Sequence, residues 1–91
     1  MGREGEKSEG VYEDGKKDGE WTIWYLNGKK KAEGTFEDDK QNGRWTYYDE
    51  NGQRWMEVTY KDGKTDGVFT EWDVQGNIIK QTTYKNGVEV P

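Results

Sequence analysis

The 91-residue sequence has no cysteine, no histidine, a single proline and a single leucine. Without Cys there is no disulfide framework, thiolate metal site or cysteine nucleophile, and the redox compartment stays open. Without His, most zinc and iron sites, the Ser-His and Cys-His pairs and the usual proton shuttle near neutral pH are excluded as well. Any catalysis would have to rest on carboxylates, Lys or Tyr. One proline excludes a proline-rich linker or a collagen-like chain. No apolar run approaches the roughly 18 residues of a membrane-spanning helix, and residues 1–10 lack the apolar stretch of a signal peptide. A soluble, cytoplasmic chain is expected, with a secreted form that has lost its signal left open. The formal charge of -5 argues against nucleic acid, which needs a basic face to neutralise phosphates. Lys29, Lys30 and Lys31 form the one basic run, and alternation along a strand splits them between faces, so no membrane or phosphate patch is expected.

What the chain does have is charge and rings. Charged residues make up 36% and hydrophobic ones only 29%, half of them aromatic. Such a charge content leans towards disorder, yet disordered chains are poor in Trp and Tyr. The conflict is settled by an internal period of 24 residues. Gly19, Gly43 and Gly67 fall in register, as do Trp21, Trp45 and Phe69, then Thr22, Thr46 and Thr70, then Trp24, Tyr48 and Trp72, and then Gly28, Gly52 and Gly76. Thr35, Thr59 and Thr83 follow, each with a ring behind it at Phe36, Tyr60 and Tyr84. Residues 1–9 read as a polar tail. Residues 10–91 read as one repeat domain: a half unit at 10–18 and units at 19–42, 43–66 and 67–90.

Each unit reads as two strands. Turn signals at Asp14-Gly15, Asn27-Gly28, Asp38-Asp39, Asn51-Gly52, Asp62-Gly63, Gln75-Gly76 and Asn86-Gly87 alternate at steps of 13 and 11 residues. Most are dipeptides that tolerate positive φ at both central positions of a hairpin turn. Between them lie Thr-, Trp-, Tyr- and Val-rich stretches. A second glycine of each unit (Gly19, Gly43, Gly67) sits inside a strand and marks a bulge or a close backbone approach. The fold class is therefore all-β: an elongated, twisted, single-layer antiparallel meander of β-hairpin repeats.

A two-residue turn at Asn27-Gly28 pairs Tyr25 with Lys30, Ile23 with Ala32, Trp21 with Gly34 and Gly19 with Phe36. The same rule pairs Asp49 with Arg54, Tyr47 with Met56, Trp45 with Val58 and Gly43 with Tyr60, then Glu71 with Lys80, Phe69 with Thr82 and Gly67 with Tyr84. Each unit thus sets a glycine opposite a ring that would shield it, worth about 0.2–1 kcal/mol per cross-strand pair. Alternation then sorts the chain into two faces. A structural face holds Tyr12, Trp21, Tyr25, Phe36, Trp45, Tyr47, Tyr60, Phe69 and Tyr84 with Ile23, Ala32, Met56, Val58 and Ile78. The other holds Trp24, Tyr48, Trp55 and Trp72 among Thr22, Thr46, Thr70, Glu33, Glu57 and Gln81. Repeat sheets are stabilised by neighbour contacts and need less of a central core.

These columns, Gly-x-Trp-Thr-x-Trp/Tyr followed by Asn-Gly, a Thr-aromatic pair and Asp-Gly-Lys-x-Asp-Gly, resemble the MORN-repeat variant of bacterial toxin–antitoxin proteins of the YwqK type. The match is closest in residues 19–28, 43–52 and 60–67, with Asp39, Phe69 and Gln75 departing from the pattern. The resemblance implies stacked β-hairpins and a binding protein that neutralises a toxin-like partner, without catalytic activity or cofactor.

Chemistry finds little footing in the residues themselves. The acidic residues recur in turns (Asp14, Asp18, Asp38, Asp62, Asp66), as solvated positions rather than a catalytic carboxylate pair. Asp14 to Gly19 and Asp62 to Gly67 superficially match a calcium loop, but Lys16 and Lys64 occupy the third ligand position. Gly63-Lys64-Thr65 has Val58 where a phosphate-binding loop needs its first glycine. Trp24, Tyr48, Trp55 and Trp72 remain as candidate partner-binding residues, either an exposed ring ladder or a second small face packed with Val74 and Ile79. Two functions stay open: a protein-binding module of antitoxin or immunity type, and a self-assembling module that pairs through a free edge strand. Carbohydrate binding through stacked Trp is a third.

Overall fold

The computed structural model describes residues 7–91. Eight strands follow one another: β1 (Lys7–Glu13), β2 (Lys16–Trp24), β3 (Lys30–Glu37), β4 (Lys40–Tyr48), β5 (Arg54–Lys61), β6 (Lys64–Trp72), β7 (Ile78–Lys85) and β8 (Val88–Val90). They form one antiparallel sheet in chain order, with overall extents of 42 × 35 × 20 Å. The all-β, single-layer meander expected from the period is what forms. The boundary expected at residue 10 falls inside β1, because Lys7, Ser8 and Glu9 pair with Trp24, Ile23 and Thr22. The rest of the expected tail lies outside the described residues.

Two kinds of turn alternate, one along each margin of the sheet. At the first margin Asp14-Gly15, Asp38-Asp39, Asp62-Gly63 and Asn86-Gly87 all have positive φ at both positions, the two-residue turn whose twist matches that of paired strands. Consecutive turns here are tied together: Asp39 N donates to Lys17 O at 2.9 Å, Gly63 N to Gln41 O at 2.9 Å and Gly87 N to Thr65 O at 2.7 Å. Asp39, which stands where the other units have Gly, also accepts the Lys17 amide on its carboxylate at 2.8 Å. That bond offsets the left-handed conformation (φ 67°) it must adopt.

The second margin departs from expectation. Asn27, Asn51 and Gln75 do not have positive φ; only the glycine after each does. Gly28 N donates to Tyr25 O and Tyr25 N to Lys29 O, with the same pattern at Asp49 to Gln53 and Asp73 to Asn77. These are three-residue loops, a turn followed by a left-handed glycine. One residue more in the loop shifts the adjoining register: Trp24 pairs with Lys30, Tyr48 with Arg54 and Trp72 with Ile78. The expected Tyr25–Lys30 and Asp49–Arg54 pairs therefore do not form. Asp49 instead accepts the amides of Asn51 and Gln53, and Asp73 those of Gln75 and Asn77, which holds the Asp73 carboxyl below its usual range. Ile78, expected on the structural face, shares a face with Trp72 for the same reason. Deeper in the strands the expected pairs stand, from Gly19–Phe36 to Glu71–Lys80.

The core is a line of rings on the structural face. Trp21, Ala32, Trp45 and Val58 are buried, Trp45 to 1% exposure. Tyr12, Trp21, Phe36 and Trp45 meet edge to face in sequence, at centroid distances of 5.1 to 5.7 Å. The indole nitrogens of Trp21 and Trp45 donate to Val11 O and Thr35 O, so neither buried donor is left without a partner. The glycines beneath rings are not those expected. Gly19, Gly43 and Gly67 pair with Phe36, Tyr60 and Tyr84, but a Cβ there would meet Val11, open space and Thr59. The rings lie instead on Gly10 under Trp21 and Gly34 under Trp45. In the third unit Val58 stands in this column and Phe69 replaces the indole. Gly19, Gly43 and Gly67 serve the bulges: each lies in a three-residue stretch that opposes a single residue of the preceding strand.

Candidate functional site

On the opposite face Trp24, Tyr48 and Trp72 are carried at the ends of β2, β4 and β6, next to the three-residue turns. They do not stack on one another, since no ring contact joins them among the described residues. The shifted register places a cation between successive rings, with Lys30 opposite Trp24 and Arg54 opposite Tyr48. The Arg54 guanidinium lies 4.2 Å from the Trp72 ring centroid and the Lys30 ammonium 6.0 Å from that of Tyr48. The row reads Trp24, Lys30, Tyr48, Arg54, Trp72, Ile78. Trp55 is the residue left unpaired by the bulge against β4. It lies at the same hairpin end as Trp72 and is 37% exposed.

Glu33 organises the first half of the row. Its carboxylate accepts the Tyr48 phenol at 2.7 Å and the Lys30 ammonium at 3.0 Å, and these two bonds hold it below the usual carboxylate range. Burial, then the bond to Glu33, pushes the Tyr48 phenol up to about 12. A phenol raised in the folded state contributes stability that is complete below its unfolded value near 10 and fades between there and about 12. Following phenolate absorbance, Glu33→Gln is expected to bring one late-titrating tyrosine back towards the ordinary range. An unchanged titration would leave burial alone as the cause.

Beyond Arg54 the row ends in apolar side chains. Around Trp72 and Trp55, Val74 is 68% exposed, Ile78 55% and Ile79 63%. Val74 and Ile79 therefore do not close this face over the rings. At the other end Leu26 stands exposed beside an open groove of about 300 Å³ lined by Trp24, Tyr25, Lys7 and Glu9. No cluster of metal-ligating side chains occurs among the described residues. Sequence reading found the rings but missed Lys30 and Arg54 between them, although their spacing of one period was there to be seen.

An open sheet of stacked hairpins, with one face closed by rings and the other left accessible, defines a β-hairpin repeat protein. The family model described as MORN repeat variant matches residues 17–38, 41–62 and 65–86, together more than two thirds of the chain, and the protein belongs to that family. Each match begins at the second residue of an even-numbered strand and runs past the end of the next strand, so the unit is a hairpin closed by a three-residue turn. MORN repeats are generally binding or structural modules and generally not enzymes. No curated protein matched the chain significantly.

Proposed function

We propose that this chain is a non-catalytic protein-binding module of antitoxin or immunity type, and that its partner docks on the Trp24–Tyr48–Trp72 face, centred at Trp72 and Trp55. The exposed apolar group of Val74, Ile78 and Ile79 beside Trp72 carries this reading. Apolar side chains gathered around an indole and rimmed by charge have the composition of an interface centre. The Arg54 stack presents that indole in a fixed orientation, which lowers the entropy lost on docking.

Co-expression with the product of the neighbouring gene, followed by mass measurement of the complex, tests the proposal. A one-to-one complex is expected, with Trp72→Ala weakening it by roughly 30-fold, the size of a hot-spot loss. A complex indifferent to Trp72→Ala and Ile79→Asp would place the contact elsewhere. Self-assembly through β1 is the competing reading, because all seven of its residues are exposed. Lys7, Glu9 and Glu13 place charges along that strand, a composition that guards an edge against pairing.

A further inference from the structure

Four cations from the three central strands β4, β5 and β6 meet at the first margin. Lys40 begins β4 and Arg44 follows within it, Lys61 ends β5 and Lys64 begins β6, and all four are exposed. Trp45 and Tyr60 pack into the core, so alternation puts Arg44 and Lys61 on the opposite face. Lys61 pairs directly with Lys64, with Cβ atoms about 5 Å apart. Arg44 pairs with Thr59 and stands diagonal to Lys61, about 7–8 Å away. The Lys40 stem lies over the next turn, 3.8 Å from where a Cβ on Gly63 would stand. None of the four is in an ion pair among the described residues. Of the acids adjoining them in the ladder, Asp66 accepts the Asn86 amide at 3.4 Å and Glu57 the Thr46 hydroxyl at 3.5 Å, while Asp62 occupies the turn itself.

The repeat shows that the fold does not require this concentration of charge. One period earlier the same positions hold Lys16, Glu20, Glu37 and Lys40, and Glu37 stands directly opposite Lys40. Charges cancel there. In the second unit Arg44 and Lys61 replace the two acids, and Lys61 is set against Lys64, a like-charge pair that lowers stability. A local rule broken without structural gain marks a functional position. We infer that Lys40, Arg44, Lys61 and Lys64 form a docking site for an acidic segment of a partner protein, an extended stretch with carboxylates at alternate residues. Alternate side chains of an extended chain lie roughly 7 Å apart on one side, which matches the Arg44–Lys61 diagonal. Complementary charge of this kind steers encounter and fixes register. A nucleic acid or an anionic membrane fits less well, because Glu37, Asp38 and Asp39 continue the same margin and would meet a long or flat anionic surface. The site lies roughly 25 Å along β6 from Trp72 and stands whether or not the rings bind a partner.

The test uses the full chain and a synthetic peptide of alternating Glu and Ser, followed by amide chemical shifts. Saturable shifts are expected at residues 40–44 and 61–64 at low salt, with binding at least about tenfold weaker at roughly 0.3 M salt. Arg44→Glu with Lys61→Glu installs the residues of the first unit, so the urea midpoint should hold or rise while binding falls at least about tenfold. Conversely, Glu20→Arg with Glu37→Lys copies the site into the first unit and should add a second set of shifts, at residues 16–20 and 37–40. If one pair of substitutions prevents folding, the other still decides. No binding at millimolar peptide, binding indifferent to the Arg44→Glu and Lys61→Glu pair, or equal shifts with a Lys-Ser peptide would each overturn the inference. Tighter binding of oligothymidylate or of phosphatidylserine vesicles at these residues would do so too, since the partner would then be a nucleic acid or a membrane. So would a dimer whose amides shift here without peptide, since the occupant would then be a second copy.

Discussion

Gly34→Val is expected to lower the unfolding free energy by at least about 3 kcal/mol, and Trp45→Phe in the same chain to add nothing to that loss. A Cβ at Gly34 would fall within the Trp45 indole, which is buried and held by its bond to Thr35 O at 2.9 Å. Neither the backbone of β3 nor a ring packed edge to face on Phe36 can move aside cheaply. Trp45→Phe alone should cost about 2 kcal/mol, from the orphaned Thr35 carbonyl and the volume lost. The double variant reproduces the third unit, where Val58 and Phe69 already occupy these columns. Urea midpoints of the four proteins give a coupling energy, expected to be about 2 kcal/mol in favour of the double variant. Additive losses would mean that Val58 and Phe69 differ from the other units for unrelated reasons.

The repeat, the strands and the inner register were legible because each rests on many columns at once. The three-residue turns were not, because Asn-Gly suits either a two-residue turn with positive φ on both residues or a longer loop in which only the glycine is left-handed. What separates them in the second and third units is the residue two before the Asn or Gln. Asp49 and Asp73 sit where a carboxylate can gather the loop amides, and both do so. Reading Asp49 as the ion-pair partner of Arg54 hid that role and put Arg54 on the wrong face. The candidate site was therefore read as rings alone, when its construction is rings alternating with cations. Ile78 was misplaced by the same single-residue shift, and with it the apolar end of the row.

The two faces divide the work of a thin sheet. Edge-to-face rings close one side and need glycines to lie down on, so they draw the strands into a curve through the bulges opposite Val11, Gly34 and Thr59. Cations close the other side more loosely, since Lys30 and Arg54 can stack on a ring and still keep water on their polar edges. A face held in this way stays accessible. It can exchange its solvent for a partner without opening the core, which depends on Trp21 and Trp45 alone among the indoles.

The bulges give the second large effect. Gly67→Ala is expected to destabilise by about 3 kcal/mol and Gly43→Ala by about 1 kcal/mol, although the two glycines occupy one column of the repeat. Gly43 has φ 86°, near the left-handed region that other residues reach at moderate cost, and a Cβ there meets nothing within 4 Å. Gly67 has φ 123°, outside that region, and its Cβ would stand 3.0 Å from Thr59 Cβ and 3.2 Å from its methyl group. Strain in the backbone and overlap with a β-branched neighbour then add, because relieving one requires the bulge to open, and the bulge sets the pairing of Tyr60 with Thr65. Denaturant midpoints rank the pair directly, and hydrogen exchange should show the Gly67→Ala loss concentrated at the β5–β6 ladder. Equal losses at the two sites, or a larger one at Gly43, would show that the bulge rearranges freely and that the glycine column is kept for something other than its backbone.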